Sequence, residues 1–146
     1  MSSVSGIDDA VPPQRRARPA SIRWPGSVRR PGSAEFEHSA KDWLFDLAPA
    51  RWRHEQVLHR NPSELARMVR LHLDAQVIAV QTGLRAFRAT LLGAPRRADD
   101  TETIDAYVRE QAWVEAVREQ VRLVEDALAA RRAGRNHFAR HLANGL

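Results

Sequence analysis

A 3-4 repeat of apolar residues in the C-terminal half of the chain constrains the fold more than any other feature. Tyr107, Val114, Val117, Val121, Val124 and Leu128 step by sevens, threes and fours, with Glu110 in the one slot that departs from the pattern. Residues spaced this way share one side of a long helix, and such a side is built to lie along another helix. At about 100° per residue, Glu115, Arg118, Glu119, Arg122, Glu125 and Asp126 fall on the opposite side, which makes the helix amphipathic.

The helix that pairs with it is read from its ends. Asn61-Pro62-Ser63-Glu64 places a capping residue, a proline at the first helical position and an acid in the first turn. No breaker follows until Gly93-Ala94-Pro95, so a helix is predicted over 62–92. Asp99-Asp100-Thr101-Glu102 supplies the next start, and the valine-striped helix is predicted over 100–132, with Gly134 just beyond it. A connection this short suits antiparallel neighbours. Leu65, Val69, Leu73, Val80, Leu84, Phe87 and Leu91 form the main apolar face of the 62–92 helix; Met68, Leu71, Ala75, Ile78 and Ala89 form a second one beside it. A helix apolar around more than half its circumference needs cover on two sides: one from the 100–132 helix, the other from the Trp43–Leu58 segment, a second copy of the chain or a different partner, which is the argument for self-association.

Upstream, Pro49 opens a short helix predicted over 49–59, and order is expected to begin near Trp43. Five prolines between Pro12 and Pro31 block helix and ladder formation, so residues 1–40 are expected to form a disordered, basic Pro/Arg-rich arm. Residues 41–132 are then the helical domain and 133–146 a basic C-terminal tail. The fold class is all-α: an antiparallel long-helix hairpin with a short preceding helix and a disordered N-terminal arm.

Net charge is +5, but it is unevenly placed. Residues 1–34 hold six arginines against Asp8 and Asp9, and residues 129–146 hold four arginines and no acid, so the body between them is mildly acidic. Basic ends of this kind attract phosphate, acidic protein or anionic lipid, and the sequence does not choose between them. The arginines singled out for an anionic partner are Arg15, Arg16, Arg18, Arg23, Arg29 and Arg30 with Trp24 in the arm, and Arg67, Arg70, Arg85 and Arg88 along the 62–92 helix. Aromatics set among guanidinium groups also stack on nucleic-acid bases, although the long helices lack the spacing of a helix–turn–helix reader.

Several chemistries are excluded by residue type or spacing. The chain has no cysteine, so disulfides and thiolate sites are absent. No apolar run is long enough for a membrane span, and a cytoplasmic location is expected. His54 and His59 are five apart and lie on different sides of a helix; His137 and His141 have the four-residue spacing of a metal pair but no third ligand nearby. There is no glycine-rich phosphate loop, and neither a metal nor a cofactor is expected. His72 and Gln76, one turn apart on the main apolar face, and Gln120 on the facing helix are the candidate buried polar group. A His–Gln or Gln–Gln bond across the helices is the expected arrangement, with a small-molecule pocket or a pH-sensing histidine as the alternative. No serine or carboxylate is spaced to complete a nucleophile–base pair with His72.

Leu47-Ala48-Pro49-Ala50-Arg51-Trp52 and His59-Arg60-Asn61-Pro62 resemble segments of uncharacterised small helical proteins of actinobacteria. That resemblance implies a bacterial source and no activity or site. The expected function is a non-enzymatic, self-associating interaction or adaptor protein, a dimer whose basic ends meet an acidic protein. The alternative is a nucleic-acid-associated regulator using the arm and the arginine strip.

Overall fold

The computed structural model describes residues 23–145. Helical turns make up 79% of them, and no strand occurs among the described residues. Four α-helices follow one another: α1 (Phe36–Leu47), α2 (Gln56–Arg60), α3 (Pro62–Leu91) and α4 (Asp100–Asn144), with a 3-10 turn at Ala50–His54 between α1 and α2.

The pairing of α3 with α4 rests on the predicted stripe. Val114, Val121 and Val124 are fully buried, Leu128 and Val117 nearly so, and they meet Leu65, Ala66, Val69, Leu73 and Val77 of α3. Arg70 contacts Glu125, Asp74 contacts Arg118, and Phe87 stacks beside Tyr107. Numbering rises along α3 as it falls along α4, so the two run in opposite directions. Each fully buried Val or Leu contributes about 1.5–3 kcal/mol by leaving water, and the shared stripe is the main source of stability.

The ends of these helices form as the sequence requires, with different atoms doing the capping. Asn61 precedes α3 but its side chain makes no cap; its carbonyl accepts from the Glu64 and Leu65 amides. Gly93 adopts a positive φ of 79°, the left-handed turn that closes α3. Asp99 precedes α4 without capping it. The buried Asp100 instead folds back, its Oδ2 accepting from the Arg97 amide at 2.7 Å and locking the loop.

Three expectations need correction. Of the arm assigned to residues 1–40, residues 1–22 lie outside the described residues, but 23–40 are ordered. Trp24 Nε1 donates to the Val28 carbonyl at 2.7 Å, its ring lies 6.0 Å from that of Phe36, and Val28 is buried. The prolines here shape a compact turn: the Val28 amide donates to the Pro25 carbonyl. α1 then starts where Ser33 Oγ accepts from the Glu35 amide at 3.2 Å. It buries Phe36, Ala40, Leu44 and Phe45, residues that recur every four positions with Phe45 alongside. Second, the short helix expected over 49–59 is interrupted at Glu55, whose extended ψ of 99° separates the 3-10 turn from α2. Third, the segment 133–146 is not a separate tail as far as it is described, because α4 continues through Gly134 to Asn144. One glycine costs a helix only about 1 kcal/mol. Arg135, just past it, makes a two-pronged bond to Glu37 of α1, both arms at 3.1 Å.

Candidate functional site

The α3–α4 seam has two flanks, and they are built differently. On one flank, charge closes it. Arg70 grips Glu125 at 2.5 Å and reaches Asp74 at 3.4 Å, while Arg118 lies 3.6 Å from Asp74 and 3.5 Å from Glu119. The hydrogen bond to Glu125 holds the Arg70 guanidinium above its ordinary range; burial opposes this, and the charges of Glu125 and Asp74 add to it. Arg118 Nε is buried without a hydrogen-bond partner among the described residues. This flank is an interlocked set of ions that fixes helix register rather than an open anion site.

On the other flank, chain covers the seam, but only over half its length. Trp24–Val28, α1 and the 3-10 turn pack against the first half of α3 and the second half of α4. Gln120 Nε2 donates to the Arg23 carbonyl at 3.2 Å, and Arg131 Nη1 donates to the Ser33 carbonyl. Beyond this cover, the same flank of the seam carries Gly83 and Phe87 of α3 and Tyr107 and Trp113 of α4. The Tyr107 ring lies so close over Gly83 that an added Cβ would stand 2.8 Å from Cε1. Trp113 is 51% exposed. Where the cover stops, the structure leaves an aromatic strip in which Trp113 is open beside the half-buried Phe87 and Tyr107.

The polar group expected across the helices is arranged otherwise. Gln76 Nε2 lies 2.8 Å from His72 Nε2, a bond along α3 itself, and the His72 ring meets the edge of Trp52 at 5.7 Å. Gln120 does not reach them; it is committed to the Arg23 carbonyl. The reason is rotational. His72 and Gln76 sit on the flank of α3 turned toward the 3-10 turn, which is the side where Trp52 arrives. Gln120 sits on the corresponding flank of α4, where the chain from Arg23 arrives. No acid or nucleophile accompanies His72 in these contacts. The expected cross-helix bond is replaced by two separate anchors for the N-terminal cover.

The arginines divide likewise. Arg15, Arg16 and Arg18 lie outside the described residues. Arg23 and Arg29 are exposed, and Arg30 lies over the Trp24 ring at 5.9 Å. Arg67, Arg85 and Arg88 are exposed on α3, whereas Arg70 is engaged with Glu125 and Asp74 and is not free for a partner. Arg85 and Arg88 line a cleft of about 260 Å³ with Gln81, Leu84 and Gln111. Trp24 is spent on the core and does not stand ready for a base.

The remaining histidines are placed by packing. His59 lies 4.4 Å from the Phe45 ring and 2.7 Å from the Arg53 carbonyl through Nε2. His54 stands apart from it across the break at Glu55. His137 and His141 meet edge to face at 4.6 Å on the exposed end of α4. Among the described residues no three His, Cys, Asp or Glu side chains come together as a metal group. No described helix is long and apolar enough to cross a membrane.

Sequence reasoning missed two features that matter for interaction. The 23–35 segment is part of the scaffold, and the signal was Trp24 four residues before Val28, followed by Phe36, Ala40 and Leu44 at helical spacing. The aromatic strip had no local signal, because exposure there depends on where α1 ends. Comparison of the chain with protein-family models, curated proteins and solved structures finds no match.

Proposed function

We propose that this is a cytoplasmic, non-enzymatic interaction protein, scaffolded by the α3–α4 hairpin, that self-associates through the back of α3 and uses its basic segments for an acidic protein partner. One observation carries the reading. Leu71 is 51% exposed and Ile78 65% exposed, on the side of α3 turned away from the core, with Ala75, Thr82 and Ala89 exposed beside them. Leu71, Ala75, Ile78 and Thr82 follow the same 4-3-4 step as the buried stripe, so a second helix fits along them as α4 fits along the other side. Exposed apolar residues grouped in this way mark an interaction surface.

Light scattering tests it. The full chain at micromolar concentration is expected to weigh twice its 16.5 kDa mass, and Leu71→Glu with Ile78→Glu is expected to return it to the monomer. A monomeric wild-type protein refutes self-association.

A second reading is supported by the exposed Arg67, Arg85 and Arg88, two of which line a cleft. In that reading the protein binds nucleic acid non-specifically. Gel-shift affinity would then fall steeply as salt rises, whereas no shift at low salt removes the reading.

A further inference from the structure

We propose that the end of α4, from Ala127 to Leu142, docks an acidic amphipathic helix of a partner protein, which rests on the acidic-partner reading above and gives that partner a place and a shape.

The stripe that builds the hairpin continues where the hairpin stops. Leu128, Arg131, Arg135, Phe138 and Leu142 keep its steps of three and four. Along this line α4 packs on α3 as far as Leu128, then meets the start of α1. There Arg131 donates to the Ser33 carbonyl, and Arg135 donates to both carboxylate oxygens of Glu37. Phe138 and Leu142 come next, one turn apart, and are 66% and 59% exposed. Apolar side chains at this spacing are the anchors by which one helix holds another. From Arg135 to Asn144 α4 runs on for about 14 Å, room for two to three turns of a partner.

Beside Phe138 the surface is concave. A cleft of about 650 Å³ lies between the Pro31–Ala34 turn and Ala127, Ala130 and Arg131 of α4. Ala130, Gly134 and Phe138 follow one another a turn apart, so the cleft leads to the Phe138 ring along one side of the helix. Glycine weakens a helix interior, and Gly134 has neither a positive φ nor any atom within 4 Å of where a Cβ would stand. Its bare backbone leaves room for a second helix at close range.

Charge chooses the occupant. Residues 129–146 hold four arginines and no acid. The acids at the start of α1 are already engaged, Glu37 by Arg135 and Glu35 by Ser33 Oγ at 3.1 Å. Arg132 and Arg140 are exposed. The same segment of a second copy would set like charge against like, whereas a helix edged with acids is complementary. A helix lying in a bilayer interface needs a broad apolar face, and past Leu128 α4 supplies only Phe138 and Leu142 as large apolar side chains.

The probe is a synthetic helical peptide with leucines at 3-4 spacing edged by glutamates, followed by fluorescence anisotropy as the full-length protein is added. A matched peptide with lysine for each glutamate is the control. The acidic peptide is expected to bind roughly tenfold tighter than the control, and Phe138→Ser with Leu142→Ser to weaken it roughly tenfold. Both residues are exposed, so the variant is expected to keep its helix content by circular dichroism. Binding that survives this variant overturns the proposed place and leaves the acidic-partner reading standing. No binding of the acidic peptide overturns both. A fall in the variant's own mass by light scattering overturns the proposal by giving this surface to a second copy. Co-sedimentation of wild type but not the variant with phosphatidylserine vesicles, without peptide binding, overturns it in favour of lipid.

Discussion

Single atoms hold the joints between the long helices. Asp100 is buried at 6% exposure and accepts from the Arg97 amide, so Asp100→Ala strands that donor in a tight loop. The loss is expected at about 1–2 kcal/mol, read as a lower urea midpoint with unchanged slope. At the other joint, Tyr107 covers Gly83. Gly83→Val drives a branched side chain into the ring and is expected to destabilise by about 1–3 kcal/mol. Gly83→Ala is expected to cost less, since its gain in helix propensity of about 1 kcal/mol offsets part of the clash. Chemical denaturation of both variants checks the order. Arg70 gives a signed pH prediction. Its folded-state pKa is raised, so its contribution is complete below the unfolded pKa and fades only as pH climbs through the folded one, both strongly alkaline. The stability gap between wild type and Arg70→Met should therefore stay constant between about pH 7 and about pH 10. The sequence displayed Arg70, Asp74 and Glu125 but not their bond. Arg70 read as a free cation because its partner is 55 residues away.

The N-terminal cover is the element that sequence reasoning misjudged. Proline density argued against order in 23–35, yet the turn needs only Pro25, Val28 and Trp24 to close on Phe36. Trp24→Ala removes that packing and the bond to the Val28 carbonyl. It is expected to cost about 3 kcal/mol and to expose α1 to hydrogen exchange while α3 stays protected. The valine stripe, in contrast, was legible because helix pairing leaves a periodic record along the chain. His72, Gln76 and Gln120 read as a buried polar group, whereas all three are half-buried. Their partners were not legible, since the side of α3 that receives Trp52 depends on how α1 folds back. Gly134 shows the same limit: the terminator was visible, but the Glu37–Arg135 contact that carries the helix past it was not.

At the scale of the whole molecule, the two long helices are unequal. α3 has 30 residues and α4 has 45, so α4 outruns its neighbour by about 20 Å. The last residues clamped to the body are Arg131, bonded to the Ser33 carbonyl, and Arg135, bonded to Glu37. Past them, Phe138 and Leu142 are exposed on a free-standing spar. A partner grasping that spar would transmit its load through Arg135 into Glu37, at the first turn of α1, before any strain reached the valine seam. A pull on the end of α4 is thus expected to loosen the N-terminal cover first, at the Arg135–Glu37 contact.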